Sequence, residues 1–268
     1  MEETKLREKL ERFNWYHTFQ LTPNVTTPGW PVVVPIVEMT LRTLRSLDLT
    51  GKRVLDIGCR DGLFSFEAER LGARDVVGFD NKLTAGIAEF LTRFFQSKVR
   101  IETYNLYDLT PATFGIFDVV IFAGTLYHLR YPFRALKLVR DVIADGGKLV
   151  LETAVLVDEN RHPLLFCPVG NESPYEPTSC TFFNLKGLKD TLRSFGFVAE
   201  TGECLLALEH LPGQPLPDRP QIDRCTLVCR KTRSSDDSQT MLYWEGTVGG
   251  HNIPPTWDSR KRVEKSTK

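Results

Sequence analysis

Apolar and polar positions in the middle of the chain fall into two alternating patterns. Short, nearly continuous apolar runs, Val54–Ile57, Val76–Phe79 and Phe117–Phe122, are the length of strands buried on both faces. Between them, stretches with apolar residues three and four apart predict helices over Leu63–Leu71 and Leu83–Gln96. Upstream, Ile36, Met39, Leu41 and Leu44 predict a helix over Pro35–Leu47. Downstream, Val99–Thr103 and Gly147–Thr153 read as strands, Phe133–Ile143 and Leu185–Phe195 as helices, and Phe197–Glu203, Cys204–Glu209 and Cys225–Arg230 as closing strands. The alternation predicts an α/β fold, a doubly wound and mostly parallel sheet. From Asp158 to Cys180 the rhythm stops and four prolines appear, at 163, 168, 174 and 177, which predicts a long insertion across one end of the sheet.

At the ends the pattern changes again. A charged helical segment over Glu2–Arg12 leads into an aromatic stretch, Trp15-Tyr16-His17-Thr18-Phe19, and a run of turn formers to Trp30. So much ring surface does not stay free in water, so this segment packs on the domain, either as a lid over a site or as a strap on its outside. Residues 231–268 are polar, and a poorly ordered tail is expected there, with Leu242-Tyr243-Trp244 the exception. The expected division is therefore 1–35 for the N-terminal helix and lid segment, 36–232 for the main domain and 233–268 for the tail.

Composition narrows the classes of partner. Lys and Arg together number 34, as do Asp and Glu, so no global field draws the chain to nucleic acid or an anionic membrane. No apolar run approaches the roughly 18–20 residues of a bilayer span, and the charged N-terminus lacks the apolar core of a secretory signal. A cytoplasmic location is the expectation. The six cysteines contain no C-x-x-C, and the five histidines are scattered, so no metal site is expected and the thiols are expected to be buried and reduced.

The chemistry gathers at Asp56-Ile57-Gly58-Cys59-Arg60-Asp61-Gly62, a glycine turn between a strand and a helix. Such a turn brings a ligand close to the backbone and to the unpaired N–H groups of the helix that follows. The spacing is not the G-x-G-x-x-G of a dinucleotide fingerprint, which argues against a nicotinamide-dependent oxidoreductase. Carboxylates flank the turn at Asp56 and Asp80, an arrangement that suits a cationic, hydroxyl-rich ligand. In these residues the chain resembles class I S-adenosylmethionine-dependent methyltransferases. That resemblance implies a Rossmann-like sheet, with Asp56, Gly58, Cys59, Gly62, Asp80, Asn81, Asp108 and Gly124 around the cofactor and Asp80 on the ribose hydroxyls. Arg60 stands where the family usually has a further glycine.

Further segments, Trp15-Tyr16-His17-Thr18, Thr27-Pro28-Gly29-Trp30, Gly124-x-Leu126-Tyr127-His128-Leu129-Arg130 and Leu151-Glu152-Thr153, are similar to those of enzymes that make 5-oxyacetic acid at the wobble uridine of tRNA. Loops after the strands of such a sheet line its crevice, so Tyr127, His128 and Arg130, directly after the central strand, are expected to face the acceptor, with His128 a candidate base. Trp15, His17 and Arg224 are expected as lid or acceptor contacts. In the carboxymethyltransferase branch the cofactor's extra carboxylate meets a lysine, a tyrosine and an arginine. Tyr127 and Arg224 match two of these, but there is no lysine between Arg12 and Arg42. Ordinary S-adenosylmethionine is therefore expected ahead of carboxy-S-adenosylmethionine. Three functions remain: methyl transfer to an oxygen of a small molecule or glycan, modification of a tRNA wobble uridine using the cations of residues 130–140 and 186–193, and cofactor binding without catalysis.

Overall fold

A computed structural model describes residues 3–208 and 219–232. The expected tail and its Tyr243-Trp244 pair, together with Glu209, lie outside the described residues. In chain order the elements are α1 (Glu3–Leu10), β1 (Gln20–Thr22), β2 (Val25–Thr26), α2 (Val34–Arg45), β3 (Arg53–Ile57), α3 (Leu63–Arg70), β4 (Asp75–Asp80), α4 (Ile87–Phe95), β5 (Arg100–Thr103), α5 (Pro111–Phe114), β6 (Phe117–Ala123), α6 (Pro132–Asp141), β7 (Ile143–Leu156), β8 (Leu165–Phe166), β9 (Phe182–Asn184), α7 (Leu185–Ser194), β10 (Phe197–Cys204) and β11 (Ile222–Lys231).

The main sheet has the order β10-β11-β7-β6-β3-β4-β5. β5, β4, β3, β6 and β7 run parallel, and β11 is inserted antiparallel between β7 and β10. This is the expected doubly wound sheet. Its order reverses between β3, which leads to β4 on one side, and β6, which leads to β7 on the other, so a crevice opens at the carboxyl ends of β3 and β6. The strands are apolar throughout because both faces are covered. One core gathers Leu55, Val77, Val120 and Leu149 with α6 and α7; a second gathers Val54, Val76, Val119 and Ile121 with α2, α3, α4 and the N-terminal segment.

Two elements differ from expectation in instructive ways. The α4 helix begins at Ile87 rather than Leu83, because Gly86 takes a left-handed conformation at its cap (φ 78°). β7 runs for 14 residues, well beyond Gly147–Thr153, because β11 pairs with it from Lys148 to Leu156 and satisfies its backbone. The two strands of the insertion were not expected: β9 pairs with the far end of β7, and β8 with β9. Both are too short to show a period.

The expectation of reduced thiols is corrected. Cys204 and Cys225 face each other across β10 and β11, with 4.0 Å between their Cα atoms, and form a disulfide. The antiparallel register, which residue spacing cannot reveal, brings them together. Of the remaining cysteines, Cys59 and Cys229 are buried, whereas Cys167 is exposed and Cys180 half-buried. Among the described residues, no helix is long and apolar enough to cross a membrane.

Candidate active site

The glycine turn after β3 is built for close approach. Gly58 has φ +74°, and its N–H, like that of Cys59, donates to the Phe79 carbonyl at 2.8 and 3.1 Å, locking the turn to the end of β4. A Cβ at Gly58 would collide with the Thr125 hydroxyl, and one at Gly62 (φ +85°) with the Ile101 side chain, so any other residue at either position would be strained and would have to displace a neighbour. Arg60 also has positive φ, +51°. Its side chain leaves the turn and lies over the Tyr16 ring, 5.2 Å from the centroid.

Asp80 closes β4 beside this turn and is 7% exposed. Its Oδ2 accepts the Arg60 N–H at 3.2 Å and its Oδ1 accepts the Lys82 N–H at 2.8 Å. Each oxygen keeps a lone pair for another donor. Asp56 is placed differently. It is buried within β3, and its Oδ2 accepts the Ser65 hydroxyl at 2.6 Å. Burial raises its pKa to about 7, with Ser65 opposing the shift. Asp56 thus ties β3 to α3 from beneath the turn. Asn81 and Asp108 are exposed at the ends of β4 and of the 3-10 turn Leu106–Asp108.

On the other side of the crevice, Gly124 follows β6 with φ +66°, and the nearest atom to a Cβ built there is Arg224 Nη2 at 4.0 Å, so the space in front of it is open. Its N–H donates to Glu152 Oε2 at 3.0 Å. Glu152, on β7, is 1% exposed and accepts two further bonds from Arg224 of β11, Nε to Oε1 at 2.8 Å and Nη2 to Oε2 at 2.7 Å. The remaining guanidinium nitrogen, Nη1, donates to the hydroxyls of Tyr127 (3.3 Å) and Tyr175 (2.9 Å). Arg224 also lies over the Tyr127 ring at 4.7 Å. Burial raises the pKa of the Tyr127 phenol although Arg224 opposes the shift, so Tyr127 stays protonated.

His128 occupies the 3-10 turn after β6, and the insertion reaches it. Nε2 lies 3.3 Å from Glu176, and Nδ1 lies 3.5 Å from the Ser179 hydroxyl, which itself donates to Glu176 at 3.2 Å. Burial lowers the His128 pKa against the pull of Glu176. Both ring nitrogens therefore face the insertion. Arg130 is exposed two residues on.

The aromatic N-terminal segment divides between the two roles expected of it. Trp15 is 2% exposed, donates from Nε1 to the Leu10 carbonyl at 2.9 Å and packs on Phe13, Phe19 and Phe90, so it anchors the core and lines no crevice. His17 is likewise buried, and desolvation pushes its pKa down to about 3, with Arg60 adding to the shift. Tyr16, between them, faces the other way, toward Arg60 and Trp30. Asp61 of the glycine turn pins the segment, its Oδ2 accepting the N–H groups of Tyr16 (2.7 Å) and His17 (2.9 Å). The sequence marked Asp61, in the glycine turn, and Glu152, in Leu151-Glu152-Thr153, without assigning either a role. A single carboxylate inside the apolar run Leu149–Val155 was a signal that Glu152 needs a buried partner. Tyr175 and Glu176 were missed, and nothing local marked them.

A family model described as a methyltransferase domain matches residues 37–201, from α2 to β10. The chain belongs to this methyltransferase family. The class I fold and the S-adenosylmethionine-dependent enzyme type expected from the glycine turn agree with it. Among curated relatives, a tRNA U34 carboxymethyltransferase of Campylobacter hominis is 36% identical over 121 residues, 45% of this chain and 42% of that protein. One of Helicobacter pylori is 31% identical over 169 residues, 61% of this chain and 62% of that protein. The chain thus spans about two fifths to three fifths of the relatives it matches. Among solved structures, the N-terminal domain of EvdMO1 with SAH bound superposes with a TM-score of 0.65 at 17% identity, covering 87% of this chain and 98% of that one. The [4+2]-cyclase SpnF does so at 0.57 and 18%, covering 85% and 93%. At such identities the likeness is one of fold.

Proposed function

We propose that this methyltransferase domain binds S-adenosylmethionine in the crevice between the β3 turn and Gly124 and transfers its methyl group to an oxygen acceptor. The observation that carries the reading is the cradle itself: two positive-φ glycines crowded where a Cβ would point, the buried Asp80 carboxylate with a free lone pair on each oxygen, and the open space before Gly124. Gly58, Cys59 and Gly62 would lie along the ligand, Asp80 would take the ribose hydroxyls, and Asn81, Asp108 and Gly124 would border it. Asp56 supports the turn from below. When bound, S-adenosylmethionine supplies a methyl group made electrophilic by its sulfonium. The chain's own residues then align the acceptor and exclude water. Tyr127, His128 and Arg130 shape the acceptor side, with Tyr16 and Tyr175 as further walls.

Plain S-adenosylmethionine is favoured over its carboxylated form by the state of Arg224. Two of its nitrogens are bonded to Glu152 and the third to two tyrosines, so a carboxylate arriving there would meet a charge already balanced. For the acceptor, the relatives' names favour the wobble uridine of tRNA. The second reading, a hydroxyl of a small molecule or glycan, is supported by charge pairing: Lys137 with Asp141, and Lys186 and Arg193 with Asp190, leave much of the α6 and α7 surface neutral.

Calorimetric titration with S-adenosylhomocysteine tests the cofactor assignment. The wild type should bind and Asp80→Ala should bind at least tenfold more weakly, each lost charge-assisted hydrogen bond being worth about 1.5–3 kcal/mol. Unchanged affinity in the folded variant would remove Asp80 from the site. Absence of binding to the wild type would favour a role without catalysis.

A further inference from the structure

The stretch Arg130-Tyr131-Pro132-Phe133-Arg134, which joins the His128 turn to α6, stands apart from the rest of the surface. Tyr131 is 64% exposed and Phe133 49% exposed, large rings left in water within a few residues of the crevice. The two arginines that bracket them are also exposed, and neither has a carboxylate partner among the described residues. Arg134 lies over the Tyr107 ring at 5.5 Å and donates to the Tyr107 carbonyl at 3.3 Å. Tyr107 in turn accepts the Tyr131 N–H at 3.3 Å and meets the Tyr131 ring edge-on at 6.1 Å. Contacts of this kind hold the platform in place without covering its outer faces. One turn further along α6 the pattern reverts to the ordinary one, with Lys137 neutralised by Asp141 at 2.8 Å. At Arg130 and Arg134, cations without a carboxylate partner flank exposed rings beside the site.

Rings interleaved with exposed guanidinium groups that no carboxylate neutralises suit one class of ligand. Unstacked nucleotides present a flat π-face to an aromatic side chain and a phosphate to a cation, whereas an apolar protein partner would leave both arginines desolvated and unpaired. We propose that Arg130–Arg134 is the docking platform for the single-stranded nucleotides that flank the acceptor in an RNA loop, with Tyr131 and Phe133 stacking on bases and Arg130 and Arg134 facing phosphates. The inference rests on the tRNA reading of the acceptor and adds to it the surface that holds the loop. Its position fits the task, because only Leu129 and Arg130 lie between His128 and Tyr131, which puts the stacking ring beside the turn that carries the acceptor-side residues.

Fluorescence-anisotropy binding of an anticodon stem-loop RNA with uridine at the wobble position, at low and moderate salt, tests the proposal with the full chain. The wild type should bind, the double variant Tyr131→Ala/Phe133→Ala should bind roughly tenfold or more weakly, and Tyr131→Phe should retain affinity because the ring remains. Arg130→Gln should weaken binding and reduce the salt dependence by about one ion. S-adenosylhomocysteine affinity of the double variant, measured in parallel, should match the wild type and so report an intact fold. If the double variant binds RNA as well as the wild type does, the platform is elsewhere and only this proposal falls. If the wild type shows no RNA binding at low salt while still binding S-adenosylhomocysteine, the tRNA reading falls with it.

Discussion

Two segments reach the crevice from outside the sheet, and they are held by opposite means. The N-terminal strap, residues 13–30, is anchored by burial: Trp15, Phe19, Leu21 and Val25 are all inside the second core, and Asp61 fastens two of its N–H groups. The insertion between β7 and β9 is anchored by polar contacts made at the crevice itself. Tyr175 bonds to Arg224, Glu176 to His128, and the Cys180 and Thr181 N–H groups to the Tyr127 carbonyl. Tyr175 is 44% exposed, and much of the surrounding loop lies in water. Burial of large rings is strong and non-directional, whereas part-exposed hydrogen bonds trade cheaply with water. The strap is therefore fixed by the core, whereas the insertion rests on contacts that water can replace.

The largest effect that separates them should come from the strap. Trp15→Ala removes a fully buried indole and its hydrogen bond, so the urea midpoint should fall by the equivalent of about 3–5 kcal/mol. A loss under 1 kcal/mol would mean that the strap is not part of the core. An intermediate effect should appear in the pH dependence. The His17 pKa lies near 3 when folded and about 6.5 when unfolded, so between those values the unfolded state binds the extra proton and stability rises with pH, by up to about 1.4 kcal/mol per unit. Asp56, raised to about 7, acts in the reverse sense between roughly pH 4 and 7, since there the folded state holds the proton. Comparison of the wild type with His17→Gln isolates the histidine: the stability of the wild type relative to the variant should rise with pH across pH 3–6.5. Identical slopes would place the His17 pKa near its ordinary value. The smallest effect belongs to the insertion. Glu176→Gln should change global stability by less than about 1 kcal/mol, yet lower the His128 titration midpoint seen by NMR, because Glu176 is the group that supports its charged form. A midpoint that rises or stays fixed would break the link between the insertion and the crevice.

The same contrast explains what could be read from the residues alone. β3, β4 and β6 were legible because burial on both faces writes a continuous apolar run, and the glycine turn because its positive-φ backbone favours glycine at 58 and 62. The strap was legible as a packed segment from its rings, although which rings face the core and which the crevice depends on alternation along residues 15–17. The insertion's contribution was illegible: Tyr175 and Glu176 act on Arg224 and His128 at separations of 49 and 48 residues, and no local pattern encodes such a meeting. The disulfide was missed for the same reason, since strand register decides which cysteines face each other.

β7 and β9 give the insertion a property that its contacts do not. Val155 and Leu156 pair with Phe183 and Asn184, so both feet of the loop stand side by side on adjacent strands of one sheet. The gap to be bridged is then fixed by the sheet and independent of what lies between, and doubling the loop's length would cost only about 0.6 kcal/mol in closure entropy. Over evolutionary time this stretch can be lengthened, shortened or replaced while the cradle at Gly58, Gly62 and Asp80 stays as it is. Descendants of one cofactor site could in this way come to serve different acceptors by exchanging a single loop.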